Sequence, residues 1–134
     1  MNDGPYPHSA GQVPVLRLGA VLLVTVQGDL YDSTARRLQE DIGAGVAAGG
    51  VTGVVIDISG VEVVDSYLGR VLAEIAAGTA LLAARTVVCG MRPAVAITLV
   101  ELGLTLPGLH TALDTEAAMA VLAREAAGTL GEPW

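Results

Sequence analysis

Apolar and polar residues alternate from Val13 to Leu18, the period-two pattern of a β-strand. Gly19 then marks a turn. Ala20 to Gln27 is a nearly continuous apolar run of strand length, as expected of a strand covered on both faces. A tight turn at Gly19 makes the two a hairpin. After a loop from Gly28 to Asp32 the period changes. Ala35, Leu38, Ile42 and Val46 recur at spacings of three and four, with Arg36, Arg37, Glu40 and Asp41 on the other side. This is an amphipathic helix, capped by Asp32 or Ser33 and stopped by Gly49 and Gly50.

Val51 to Ile58 predicts a third strand, and Ser59 to Asp65 a long connection. Asp65 or Ser66 caps a second helix, with Leu68, Val71, Leu72, Ile75, Thr79 and Leu82 as its buried face. Arg85 to Cys89 is a fourth strand. Pro93 suits the first position of a third helix, apolar nearly all round and ending at Leu102 before Gly103. Leu109 to Leu113 is a short fifth strand. Asp114 or Thr115 caps a last helix with Met119, Leu122 and Ala126 inward. The order β-β-α-β-α-β-α-β-α predicts an α/β fold, a mixed, mostly parallel sheet of about five strands covered by about four helices. One domain is expected over 13–127, between a flexible, Gly- and Pro-rich tail at 1–12 and a short tail at 128–134.

Composition sharpens this. Of 134 residues, 52% are apolar and 16% charged, which excludes a disordered chain. Phe is absent and aromatic residues are 3%, so the core is aliphatic. The longest uncharged stretch, Ile42 to Ile56, is interrupted by glycines and falls short of the ~18 apolar residues of a membrane span. Met1 to Gly11 has neither a basic nor an apolar run, so no signal peptide is expected. The lone Cys89 reads as a buried reduced thiol of a cytoplasmic protein. A net charge of −7, with no lysine, argues against nucleic acid and anionic membrane surfaces.

Several motifs fail on context. Gly43-Ala44-Gly45-Val46-Ala47-Ala48 fits the dinucleotide pattern, yet its glycines end a helix rather than follow a strand. Asp57, at a strand end, has neither the paired carboxylates nor the lysine of a receiver-type phosphoacceptor; bonding to local backbone is the expectation. His8 and His110 stand outside any metal-ligand spacing, so no metal or cofactor is expected. Asp57, Glu62 and Asp65 suggest acid–base chemistry only if a pocket joins them. Asp65-Ser66 is the informative pair. A serine at a helix start is ordinarily a cap, but the same place favours a phosphate, because backbone N–H groups and the helix dipole stabilise an anion.

Val54-Val55-Ile56-Asp57 followed by Val64-Asp65-Ser66-Tyr67-Leu68 resembles the signature of STAS domains, the anti-sigma-factor antagonist fold. Gln39-Glu40-Asp41, the stretch Pro93 to Gly103, and Thr111-Ala112-Leu113-Asp114 are similar to the RsbS-type antagonists of the bacterial stressosome. The resemblance runs from about Val13 to Leu122. It implies a non-enzymatic scaffold that assembles with a larger RsbR-like STAS co-antagonist and holds an RsbT-like serine kinase. It further implies phosphorylation of Ser66 under stress, release of the kinase, and resetting by a PP2C-type phosphatase. Many STAS antagonists read Asp-Ser-Ser-Gly or Asp-Ser-Thr-Gly where this chain reads Asp65-Ser66-Tyr67-Leu68-Gly69. The bulky residue after the acceptor fits the stressosome subgroup. Loops at strand C-termini cluster at one end of such a sheet, so partner contacts are expected at Asp32, Asp65, Tyr67, Leu68 and Arg70, within a homo- or hetero-oligomer. The alternatives are a structural STAS subunit, as in a transport complex, in which Ser66 only caps, and a small enzyme using Asp57 and Asp65.

Overall fold

The computed structural model describes residues 13–28, 32–103 and 109–128. Nine elements follow one another: β1 (Val15–Leu18), β2 (Val21–Gln27), α1 (Asp32–Ala47), β3 (Gly53–Gly60), α2 (Ser66–Leu81), β4 (Arg85–Cys89), α3 (Pro93–Glu101), β5 (Leu109–Ala112) and α4 (Thr115–Gly128). The sheet order is β1-β2-β3-β4-β5. β1 pairs antiparallel with β2 through the turn at Gly19, which sits at φ 63°. The other three pairings are parallel. The expected α/β fold is therefore present: a mixed, mostly parallel five-stranded sheet with four helices. The expected tail at 1–12 and residues 129–134 lie outside the described residues; α4 itself runs to Gly128.

Side chains alternate across each strand, so the sheet feeds two cores. Val54, Ile56 and Ile58 of β3 join Leu22, Val24 and Val26 of β2 under α1, α2 and α3. Val55, Val87 and Cys89 face the other way, against Ala118 and Leu122 of α4. Ala35, Leu38, Ile42 and Val46 are buried on α1, as their spacing predicts.

Several expectations are corrected. β3 begins two residues later than predicted and extends through Gly60, so part of the presumed connection is strand. Gly53, inside the predicted strand, is the first residue of β3, and Leu122 packs over it; a Cβ there would come within 2.7 Å of the Leu122 side chain. Leu82 is 46% exposed rather than buried, since α2 ends at Leu81 and the chain turns away through Ala83. On α4, Ala118 and Leu122 carry the contact, while Met119 is half-buried and Ala126 exposed. β1 begins two residues later than predicted, at Val15, and is a mostly exposed edge strand.

Candidate functional site

The C-terminal ends of the parallel strands gather the polar groups. Asp57 sits near the end of β3, paired in register with Cys89 of β4. Its carboxylate accepts the Ser59 backbone N–H at 2.9 Å, the local role expected of it. Gly90 follows β4 at φ 72°, where a Cβ would come within 2.9 Å of Asp57 Oδ1 and of the Ser59 side chain. Glycine is thus required for the two connections to touch. The chain after β3 turns through a Val61 N–H to Ile58 carbonyl bond of 3.0 Å. Val61 and Val64 drop into the core while Glu62 and Val63 face solvent.

This staggered burial delivers Asp65 to the start of α2. Asp65 is the N-cap: its backbone is extended, and its carboxylate accepts the Leu68 N–H at 3.0 Å. Ser66 is consequently the first helical residue and not the cap. Its side chain is exposed, and its hydroxyl makes no hydrogen bond to another described residue. Tyr67 is half-buried and Arg70 exposed, with the guanidinium carbon 5.9 Å from the Tyr67 ring centroid. Leu68 is buried in the core, so it anchors the turn from beneath. Of Asp32, only the backbone is described, as the first residue of α1.

Arg92 escaped the sequence reading. It lies just before α3, 33 residues from Ser59, yet its Nε donates to the Ser59 carbonyl at 2.9 Å and its Nη2 lies 4.0 Å from Glu62 Oε2. It ties the β4–α3 connection to the loop that carries Ser66. A lone arginine after Gly90-Met91 carries no local signal of such a role.

Beside this end, burial pushes the Cys89 thiol above its ordinary pKa. A hydrogen bond with Thr115 opposes that shift, and the charges of Asp57 and Asp114 reinforce it. Three surface hollows lined by described residues lie between β1 and α1, between α1 and α2, and beside Arg85 and Glu125; none of the three touches Asp57 or Asp65. Among the described residues no group of three or more His, Cys, Asp and Glu could hold a metal ion, and no helix is long and apolar enough to cross a membrane.

Comparison with known proteins agrees with this architecture. The STAS domain family matches residues 12–118. A structure of Moorella thermoacetica RsbS carrying a serine-to-glutamate substitution is 37% identical, with a TM-score of 0.76, covering 86% of this chain and 97% of that one. A chain from the molecular architecture of the stressosome, a signal integration and transduction hub, is 38% identical with a TM-score of 0.74, covering 84% and 98%. The RsbT co-antagonist protein RsbRA of Bacillus subtilis is 29% identical over an alignment of 116 residues that covers 79% of this chain and 42% of the relative. The chain thus spans less than half the length of that curated relative. A family match across most of the chain, joined to a five-stranded sheet that presents Asp65 and Ser66 at a helix start, shows that the chain belongs to the STAS domain family.

Proposed function

We propose that this protein is a phosphorylatable, non-enzymatic scaffold of a stressosome-like complex. It sequesters an RsbT-like serine kinase together with an RsbR-like co-antagonist, and it lets the kinase go when Ser66 is phosphorylated. A PP2C-type phosphatase resets the serine. The working unit is the STAS domain at 13–127. The observation that carries this reading is the placement of Ser66: exposed, with its hydroxyl bonded to no other described residue, and held by a cap that belongs to its neighbour. Likeness to RsbS over 86% of the chain supports the same assignment.

The physics of release follows from the site. Phosphate adds roughly −1.5 to −2 charges at neutral pH. Ser66 adjoins Asp65, and Glu62 lies in the same connection, so a partner docked here meets a concentrated anion. Two like-charge contacts at an interface cost several kcal/mol. The helix N-terminus meanwhile stabilises the phosphate within the domain, so modification does not require unfolding. Asp65, Tyr67 and Arg70, with the start of α1 at Asp32, form the proposed contact surface; Leu68 contributes by fixing the turn.

The test is phosphopeptide mapping from the native cells before and after stress, paired with a release assay. Stress-dependent phosphate on Ser66, and a Ser66→Ala chain that captures kinase but does not release it, are expected. Normal release by Ser66→Ala would overturn the reading, and a Ser66 peptide unmodified under both conditions would return Ser66 to a structural subunit's helix start.

A further inference from the structure

We propose that Arg70 is the intramolecular receiver of a phosphate on Ser66, and that it leaves the Tyr67 ring to take up this role. The inference rests on the phosphorylation reading above and deepens it. Ser66 and Arg70 both lie within α2 at a spacing of four, so they are neighbours on one helix face. An acid N-terminal to a base at that spacing is the favoured order. Arg70 is exposed, and its guanidinium sits at the outer limit of the range over which an aromatic face holds a cation. Among the described residues it has no ion pair.

The neighbouring charges are otherwise engaged. Glu74, one turn on, accepts from the Gln39 side-chain amide at 2.9 Å. Glu62 lies beside Arg92, and Arg92 is further held by the Ser59 carbonyl. The Asp65 carboxylate is turned to the Leu68 N–H. Of Arg70 and Arg92, the two cations beside this connection, Arg70 therefore holds the weaker tie. A phosphate offers several charged acceptor oxygens in the bidentate geometry that a guanidinium matches, a far stronger partner than an aromatic ring. Phosphorylation then changes the surface twice. It adds an anion, and it withdraws a cation from the Tyr67 ring.

The test uses the full chain with phosphoserine installed at position 66 by genetic encoding, so it does not depend on whether cells phosphorylate it. Phosphorus NMR follows the second ionisation of the phosphoserine, and proton NMR follows the Tyr67 ring. In the native background the ionisation midpoint is expected about half a pH unit below that of Arg70→Gln, because a paired guanidinium favours the dianion. The Tyr67 ring signals shift on phosphorylation only when Arg70 is present. Arg70→Lys recovers part of the shift, whereas Arg36→Gln and Arg92→Gln leave the midpoint in place. Equal midpoints with and without Arg70, or a midpoint that follows Arg36 or Arg92 instead, would overturn the proposal. Absence of phosphate on Ser66 in cells would sink the functional reading and leave this titration standing.

Discussion

The helices α2 and α3 look alike in the sequence and are used in opposite ways. Both are rich in aliphatic residues. α2 buries seven of its residues, including Leu68, Val71, Leu72, Ile75 and Thr79, and it starts from a carboxylate cap. α3 starts at Pro93 without a side-chain cap and buries only Val95 and Leu99, leaving Ile97 and Val100 59% and 77% exposed. A helix proposed to carry a switch at its first position needs a rigid body, because a site is only as well placed as the packing beneath it. α2 has that body. α3 is attached at its start, through Arg92, to the loop it helps shape.

The strongest way to break this contrast is to hollow out α2. Leu72 is 1% exposed and lies within the larger core. Leu72→Ala should cost about 2–5 kcal/mol, the lost transfer energy plus a cavity. Urea denaturation reads this directly. A loss below about 1 kcal/mol would mean that α2 is not the rigid element described.

A smaller effect comes from the cap. Asp65→Ala removes the acceptor for the Leu68 N–H and should cost about 1 kcal/mol in the same denaturation experiment. Asp65→Asn keeps a capping oxygen and should cost only a few tenths. If the two variants lose equal stability, the charge rather than the hydrogen bond holds the helix start.

The sheet between the helices offers a pH-dependent check. Cys89 is buried, and its thiol is held above its ordinary pKa chiefly by desolvation. Below the unfolded-state value, about 8.5, both states are protonated and the folded state keeps its full advantage. As pH rises past that value the unfolded thiol ionises first, so stability falls. The decline above pH 8.5 should be shallower in Cys89→Ala. Parallel pH–stability curves for the two proteins would show that Cys89 ionises equally well in both states.

How far these features are legible in the sequence depends on how local their cause is. The α1 stripe and the first position of α3 obey spacing and turn chemistry, and the structure has them where the pattern puts them. The aspartate–serine pair marks the α2 start, but which of the two caps is decided by backbone geometry: the extended Asp65 turns its carboxylate inward and leaves the Ser66 hydroxyl to solvent. Leu82 satisfies the helical period and is still exposed, because the helix ends before it. Leu122 packs where a side chain on Gly53 would stand, and Arg92 entered the site from 33 residues away. Contacts of that range leave no periodicity to read.

The faintest expected effect is the one that sharpens the contrast most. Ile97 and Val100 stand on the solvent side of α3, so replacing both by serine removes little buried surface. Each change should alter stability by no more than about 0.5 kcal/mol, and the pair should be additive within experimental error. The same chemical change at the buried Val95 and Leu99 should cost several kcal/mol, since it opens a cavity and strands hydroxyls in the core. If the exposed pair proved as costly as the buried pair, α3 would be packed on both sides in solution and the asymmetry between the helices would vanish. If the exposed pair is silent, the apolar character of α3 exceeds what the fold uses, and the protein's own stability does not account for Ile97 and Val100.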